Sequence, residues 1–151
     1  MSPLAPFDTV QITAIAEEVF AAMVDGEPGH LVPWAGDVPV LADPLHAWVE
    51  IHGAFAGRTL LSTDVSTADD LARALLGMPS DEAVSEDDLV DAFGEVVNVV
   101  GGNLKALLPV QEKLTMPRVG RTAPDTHGAT RIDGVVLAWR GRPLDVSVWQ
   151  I

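Results

Sequence analysis

The sequence has 151 residues, a mass of 16.0 kDa and 48% apolar residues, which suits one domain with a real core and argues against long disorder or a fibrous repeat. Nine basic residues against 22 acidic ones give a net charge of −13 and a pI near 4.4, a surface that repels nucleic acid and anionic lipid. Cysteine is absent, which removes disulfides, thiol chemistry and cysteine-based zinc sites.

The opening residues, Met1 to Asp8, lack the basic start and apolar run of a signal peptide. No stretch approaches the roughly 18 uncharged apolar residues of a membrane span, so a soluble cytoplasmic protein is expected. The first helix is predicted over residues 9 to 24, capped by Asp8. Val10, Ile12, Ile15, Ala16, Val19, Phe20 and Met23 form its apolar side, and Gln11, Glu17 and Glu18 face outward. Gly26, Pro28 and Gly29 stop it. Residues 25 to 45 read as an irregular, proline-rich connection with a short edge strand at residues 38 to 41.

Two clearer strands follow, at residues 46 to 55 and 58 to 65, joined by a hairpin turn at Ala56-Gly57. In the first, Ala47, Val49, Ile51 and Gly53 share a face opposite His46, Trp48, Glu50 and His52. A second helix is expected after a Ser66 or Thr67 cap, with Asp69 and Asp70 in its first turn and Leu71, Ala74, Leu75 and Met78 as its buried stripe. Gly77 and Pro79 end it. The third helix is predicted from a Ser85 cap, with Asp88 three places on, to Leu108, where Pro109 stops it. A strand is expected over Lys113 to Val119, interrupted by Pro117. A turn-rich loop covers residues 120 to 131. A terminal hairpin then joins 134–140 to 143–151 around Gly141. The fold class predicted is α/β of the α+β type, an antiparallel sheet packed by long helices in a single domain, residues 1–151.

The third helix carries the most information. At about 100° per residue, Leu89, Phe93, Val96, Val97, Val100, Leu104, Leu107 and Leu108 fall on one broad face. Asp88, Asp91, Glu95, Asn98 and Gly102 line the opposite side, with Lys105 at its edge. An amphipathic helix always has a polar face. Asn98, Gly94, Gly101 and Gly102 are nevertheless poor helix formers, and each glycine costs roughly 1 kcal/mol against alanine. Close approach of another backbone is the physical reason to place glycine there. Gly101 suits packing inside the domain, and Gly102 suits admission of a partner's surface.

The run from Asp91 to Lys105, Asp-Ala-Phe-Gly-Glu-Val-Val-Asn-Val-Val-Gly-Gly-Asn-Leu-Lys, strongly resembles the signature helix of the CheX-like and CheC-like chemotaxis phosphatases. The Ile51 to Leu61 hairpin and the Leu114 to Gly120 strand and turn are similar to the family's corresponding elements. The resemblance spans residues 46 to 151. CheC-like members usually carry two Glu-x-x-Asn helices. This chain has one, because Glu17 and Glu18 lack an asparagine three places later, and the resemblance is to the CheX branch.

That resemblance implies hydrolysis of phospho-aspartate on a CheY-like response-regulator receiver domain. Asn98 would orient the attacking water with a neutral amide that both donates and accepts. Glu95 would pair with the receiver's lysine. From their places on the stripe and its edge, and not from the family pattern, Asp91, Gly102 and Lys105 are the expected partner-binding residues, with Asp91 widening the acidic docking face and Gly102 giving clearance. No cofactor of the chain's own is implied, and Mg2+ is expected in the partner receiver. A homodimer built by sheet pairing is a further implied partner, with Trp149 as a candidate contact. A non-catalytic receiver-binding or signalling scaffold of the same fold stands as the alternative, and an unrelated oligomerisation domain as a third reading.

Other residue patterns point elsewhere. His46 and His52 lie six residues apart, about 20 Å in an extended strand, too far to share a metal. His30 and His127 fall in loops, and Trp34, Trp48, Trp139 and Trp149 suit core or interface positions. The acidic run around Asp81 to Asp88 lacks the oxygen spacing and central glycine of a calcium loop. No metal ligand set is expected.

Overall fold

A computed structural model describes residues 7–109 and 112–151 of the chain, so the reading of the first residues lies outside the described ones. The first helix, α1 (Thr9–Val19), begins at a capping box. Asp8 accepts from the Gln11 N–H at 2.8 Å, and the Gln11 side chain accepts from the Asp8 N–H at 3.1 Å. The helix widens into a π-helical stretch, Phe20–Asp25, before Gly26 turns the chain at φ 74°. That stretch buries Phe20 and Val24, and Phe20 meets the Trp139 ring edge-on at 6.2 Å. Val10, expected on the apolar side, is 76% exposed in the first turn.

Among the described residues seven strands, β1 (Leu31–Pro33), β2 (Pro44–His52), β3 (Gly57–Asp64), β4 (Lys113–Leu114), β5 (Arg118–Gly120), β6 (Thr130–Trp139) and β7 (Arg142–Gln150), form one antiparallel sheet in the order β1–β6–β7–β3–β2–β4, with β5 also pairing β2. The edge strand β1 is Leu31–Pro33, paired with β6, and not residues 38 to 41. Val38 and Val40 are exposed there, and Pro39 between them has no N–H to give a ladder. Strand β2 (Pro44–His52) alternates as read, with Leu45, Ala47, Val49 and Ile51 buried.

Its hairpin partner β3 (Gly57–Asp64) pairs Gly57 with Ile51, so the connection is longer than the expected Ala56-Gly57 turn. The Glu112 carboxylate fills the place where a Gly53 side chain would stand, and it accepts from the Phe55 N–H at 3.4 Å. That buried acid holds the wide loop open.

Helix α2 (Val65–Leu76) follows directly, with Asp64 as N-cap in place of Ser66 or Thr67. The shift puts Asp69 and Asp70 in the second turn and buries Thr67, Ala68, Leu71 and Ala72. Gly77 ends the helix at φ 69°. Helix α3 (Glu86–Lys105) starts at Ser85, whose hydroxyl accepts from the Asp88 N–H at 3.1 Å. It ends three residues before the predicted Leu108. The N–H groups of Leu107 and Leu108 reach back only three residues, tightening the last turn ahead of Pro109.

The predicted strand at Lys113 to Val119 divides into β4 (Lys113–Leu114) and β5 (Arg118–Gly120), both antiparallel to β2. Pro117, without an N–H, sits in the gap. Strand β6 (Thr130–Trp139) starts earlier than expected and carries an irregularity between Arg131 and Asp133. A two-residue turn, Arg140-Gly141, with φ 51° and 81°, leads into β7 (Arg142–Gln150). Both positive angles match the twist of a tight hairpin.

Helix α3 packs over β2 and β3, and α1 and α2 both contact it. One hydrophobic cluster joins the helices to the sheet. Within it α3 buries Leu89, Phe93, Val96, Val97, Val100 and Leu104. Each such side chain contributes about 1.5–3 kcal/mol on burial, enough to outweigh three helical glycines. Of the tryptophans, Trp139 is fully buried, while Trp34, Trp48 and Trp149 are half-buried.

Candidate functional site

The buried face of α3 dictates what its other face shows. With Phe93, Val96, Val97 and Val100 committed to the core, residues offset by half a turn must point away from the sheet. Asp91 and Glu95 are exposed, Asn98 and Gly102 are half-exposed, and the helix runs without a break through all four. Glu95 and Asn98, three residues apart, are neighbours on that surface. Neither side chain enters a hydrogen bond or ion pair with another described residue. Asn103, by contrast, donates to the Val99 carbonyl at 2.8 Å and is turned back on its own helix.

The glycines have separate jobs. A side chain on Gly101 would stand 2.4 Å from Val49 Cγ2 on β2. A side chain on Gly94 would meet Pro117 and Val119 in ordinary contact at 3.5 Å. Among the described residues Gly102 has only Leu114 Cδ2 nearby, at 3.9 Å, so it leaves the outer stripe low without serving internal packing. The β4–β5 segment therefore runs along one side of the stripe. Reading the sequence located this segment but assigned its residues no part in the site. Pro117 interrupts the strand pattern in the sequence, but its place opposite Gly94 is set by the tertiary structure.

Lys105 stands apart from the rest. It is half-buried, and its ammonium donates to the Glu112 carbonyl at 3.1 Å, fastening the end of α3 to the chain that leads into β4. The structure brings Asp91, Glu95, Asn98 and Gly102 together and gives Lys105 a local tether.

The histidines do not meet. His46 contacts Ser62 Oγ through Nδ1 at 2.7 Å on the face of the sheet away from the helices, and His52 Nε2 contacts Glu50 at 3.1 Å. Burial holds the His46 imidazole below its ordinary pKa, partly countered by Asp145. Burial raises the Asp145 carboxyl, against the pull of Arg131 and His46. Burial also acts to raise Glu50, but hydrogen bonds and charge from Arg58 and His52 hold it below the usual carboxylate range. Among the described residues no group of three or more His, Cys, Asp or Glu is placed to hold a metal ion.

An antiparallel sheet of six columns packed by helices is the fold of CheC/CheX-like domains. The same fold is found in CheX from Vibrio vulnificus, with a TM-score of 0.70 and 17% identity over 97% of this chain and 95% of that one. A CheC-like superfamily protein from Shewanella sp. PV-4 aligns with a TM-score of 0.70 and 16% identity, covering 99% and 98% of the two chains. The CheX–CheY–BeF3–Mg2+ complex from Borrelia burgdorferi contains a chain that aligns with a TM-score of 0.68 and 16% identity, covering 93% and 96%. No curated protein matches the sequence at a significant level. The family model of chemotaxis phosphatase CheX matches residues 45–128, more than half of the chain. The chain belongs to the CheX family. Among the described residues no helix is long and apolar enough to cross a membrane.

Proposed function

We propose that this protein hydrolyses the phospho-aspartate of a CheY-like receiver domain, with the outer stripe of α3 as its working surface. The observation that carries the reading is the outward, adjacent display of Glu95 and Asn98 on an unbroken α3 in a member of the CheX family. The Borrelia burgdorferi neighbour, whose complex includes CheY and Mg2+, supports a receiver as the partner.

An acyl phosphate is already reactive, so the phosphatase has to place a water in line with the phosphorus and hold the receiver site in register. The Asn98 amide accepts a hydrogen bond from that water and donates one beside it, without adding negative charge near an anionic phosphoryl group. Glu95, exposed one turn earlier, pairs with the receiver's lysine and sets the approach. Gly102 leaves clearance for the receiver's backbone, and Asp91 extends the acidic docking face. The metal ion belongs to the receiver, where it supplies charge to the phosphoryl oxygens.

The test is the decay of a phosphorylated receiver, followed with and without the protein. Acceleration by the native chain, lost in Asn98→Ala and reduced through weaker docking in Glu95→Ala, is the expected result. Binding without acceleration would instead identify a scaffold module. A second copy of the chain is a further proposed partner, through the sheet face bearing Trp149. Trp149→Ala should then shift the mass measured by light scattering toward the monomer, and an unchanged mass would remove that face as the contact.

A further inference from the structure

We infer that the cleft between α2, the π-helical stretch and the β6–β7 turn binds a small phosphomonoester. This goes beyond the reading above and does not depend on it, since no residue of the α3 stripe lines the cleft.

The cleft encloses about 390 Å³, and Arg73, Arg140 and Arg142 line it. The chain holds nine basic residues against 22 acidic ones, so three arginines around one hollow is a concentration of its scarce positive charge. Two carboxylates share the site, and both are occupied. The Asp25 side chain, 1% exposed, accepts from Trp139 Nε1 at 3.1 Å and from Arg140 at 2.7 Å. Asp70 lies 2.6 Å from both Arg73 Nη1 and Arg142 Nη1. Among the described residues that line the cleft, three guanidinium groups face two carboxylates, so one positive charge is left over.

Donors are left over too. A guanidinium carries five N–H groups, and contacts with described residues engage no more than two nitrogens on each arginine. Arg140 occupies the first turn position at φ 51°, where Asn or Gly is the usual choice. Its guanidinium and that of Arg142 lie 4.6 and 5.5 Å from the centre of the Trp139 ring, so the indole helps fix both forks.

The chemistry selects the ligand. Separate guanidiniums arranged around a cavity suit a tetrahedral head with three terminal oxygens better than a carboxylate, which offers two. The Ser80 hydroxyl adds a polar group to the wall. Val24, Ala74 and Met78 supply an apolar surface for the ligand's organic part. The volume lies near the lower end of the range for small-ligand sites, about 300–1,000 Å³.

The test is a titration of the full chain followed by amide chemical shifts, at ionic strength matched with sodium chloride. The probes are inorganic phosphate, phenyl phosphate and benzoate. Phenyl phosphate should shift the amides of Met78, Ser80 and Gly141 saturably and bind more tightly than inorganic phosphate, while benzoate binds weakly. Arg142→Gln should weaken phenyl phosphate about tenfold or more, through loss of one charge-assisted contact, because Arg73 still holds Asp70. The inference is overturned by an absence of saturable shifts, by shifts confined to residues outside this cleft, by benzoate matching phenyl phosphate, or by native affinity in Arg142→Gln. If that variant does not fold, the shift map of the native chain and the affinity of Ser80→Ala decide between the same outcomes.

Discussion

Gly101 of α3 rests on Val49 of β2 so closely that a methyl group on the glycine would stand 2.4 Å from Val49 Cγ2. Val49 is fully buried and cannot yield freely. Gly101→Ala should therefore destabilise the fold by about 1–3 kcal/mol, even though alanine is the better helix former. Gly102→Ala, one residue on, meets nothing closer than Leu114 at 3.9 Å and should be neutral or stabilising by up to about 1 kcal/mol. Urea unfolding of the two variants checks the contrast. Equal losses would show that the close helix–strand approach is not what demands Gly101.

The same Gly102→Ala variant also separates stability from docking. If Gly102 provides clearance for a receiver, the variant should fold as well as the native chain yet require more receiver for half-maximal dephosphorylation. An unchanged concentration dependence would remove Gly102 from the docking surface.

Asp91 is exposed on the same stripe but carries no proposed chemistry. Asp91→Asn should leave the maximal dephosphorylation rate unchanged and alter the apparent receiver affinity by a few-fold at low salt, with the difference fading as salt screens it. A loss of maximal rate would give Asp91 a part in the reaction itself.

Ser85 anchors the start of α3 through its hydrogen bond from the Asp88 N–H. Ser85→Ala should cost about 1 kcal/mol and lower Tm by about 2–4 °C. Phosphatase activity of the folded variant should persist, because the cap lies more than two turns from Glu95. A circular-dichroism melt and the receiver assay read the two effects separately.

His46 makes stability depend on pH. Burial lowers its folded-state pKa below the ordinary 6.5, so the unfolded chain binds a proton that the folded chain resists. Its stabilising contribution is therefore complete above pH 6.5 and declines as pH falls from there toward the folded-state value. Compared with His46→Gln, the native chain should lose stability between pH 7.5 and pH 5.5, measured by urea unfolding at each pH. A constant difference between the two would show that His46 has the same pKa folded and unfolded.

The layout of the candidate stripe was legible because it is a local property of one helix. The 3.6-residue period places Asp91, Glu95, Asn98 and Gly102 opposite Phe93, Val97 and Val100 whatever α3 packs against. Ser85, Asp8 and Gly77 act on their own helix ends, the first two through side-chain oxygens and Gly77 because it lacks a Cβ and takes the left-handed conformation freely. The α+β class and the alternation of β2 followed from the same short-range periods.

What the sequence could not decide were facts of register and neighbourhood. Which short proline-bordered segment pairs with β6 depends on where β6 lies, so Leu31–Pro33 becomes the edge strand while Val38 and Val40 stay in solvent. The wide loop after β2 depends on Glu112, far along the chain, reaching the space beside Gly53. Arg73 lies far along the chain from Arg140 and Arg142, and it joins them only because α2 and the β6–β7 turn meet over Asp70 and Trp139. Periodicity travels along one element and can be read there. Convergence of residues from different elements is set by the packing of the whole core, which no local stretch encodes.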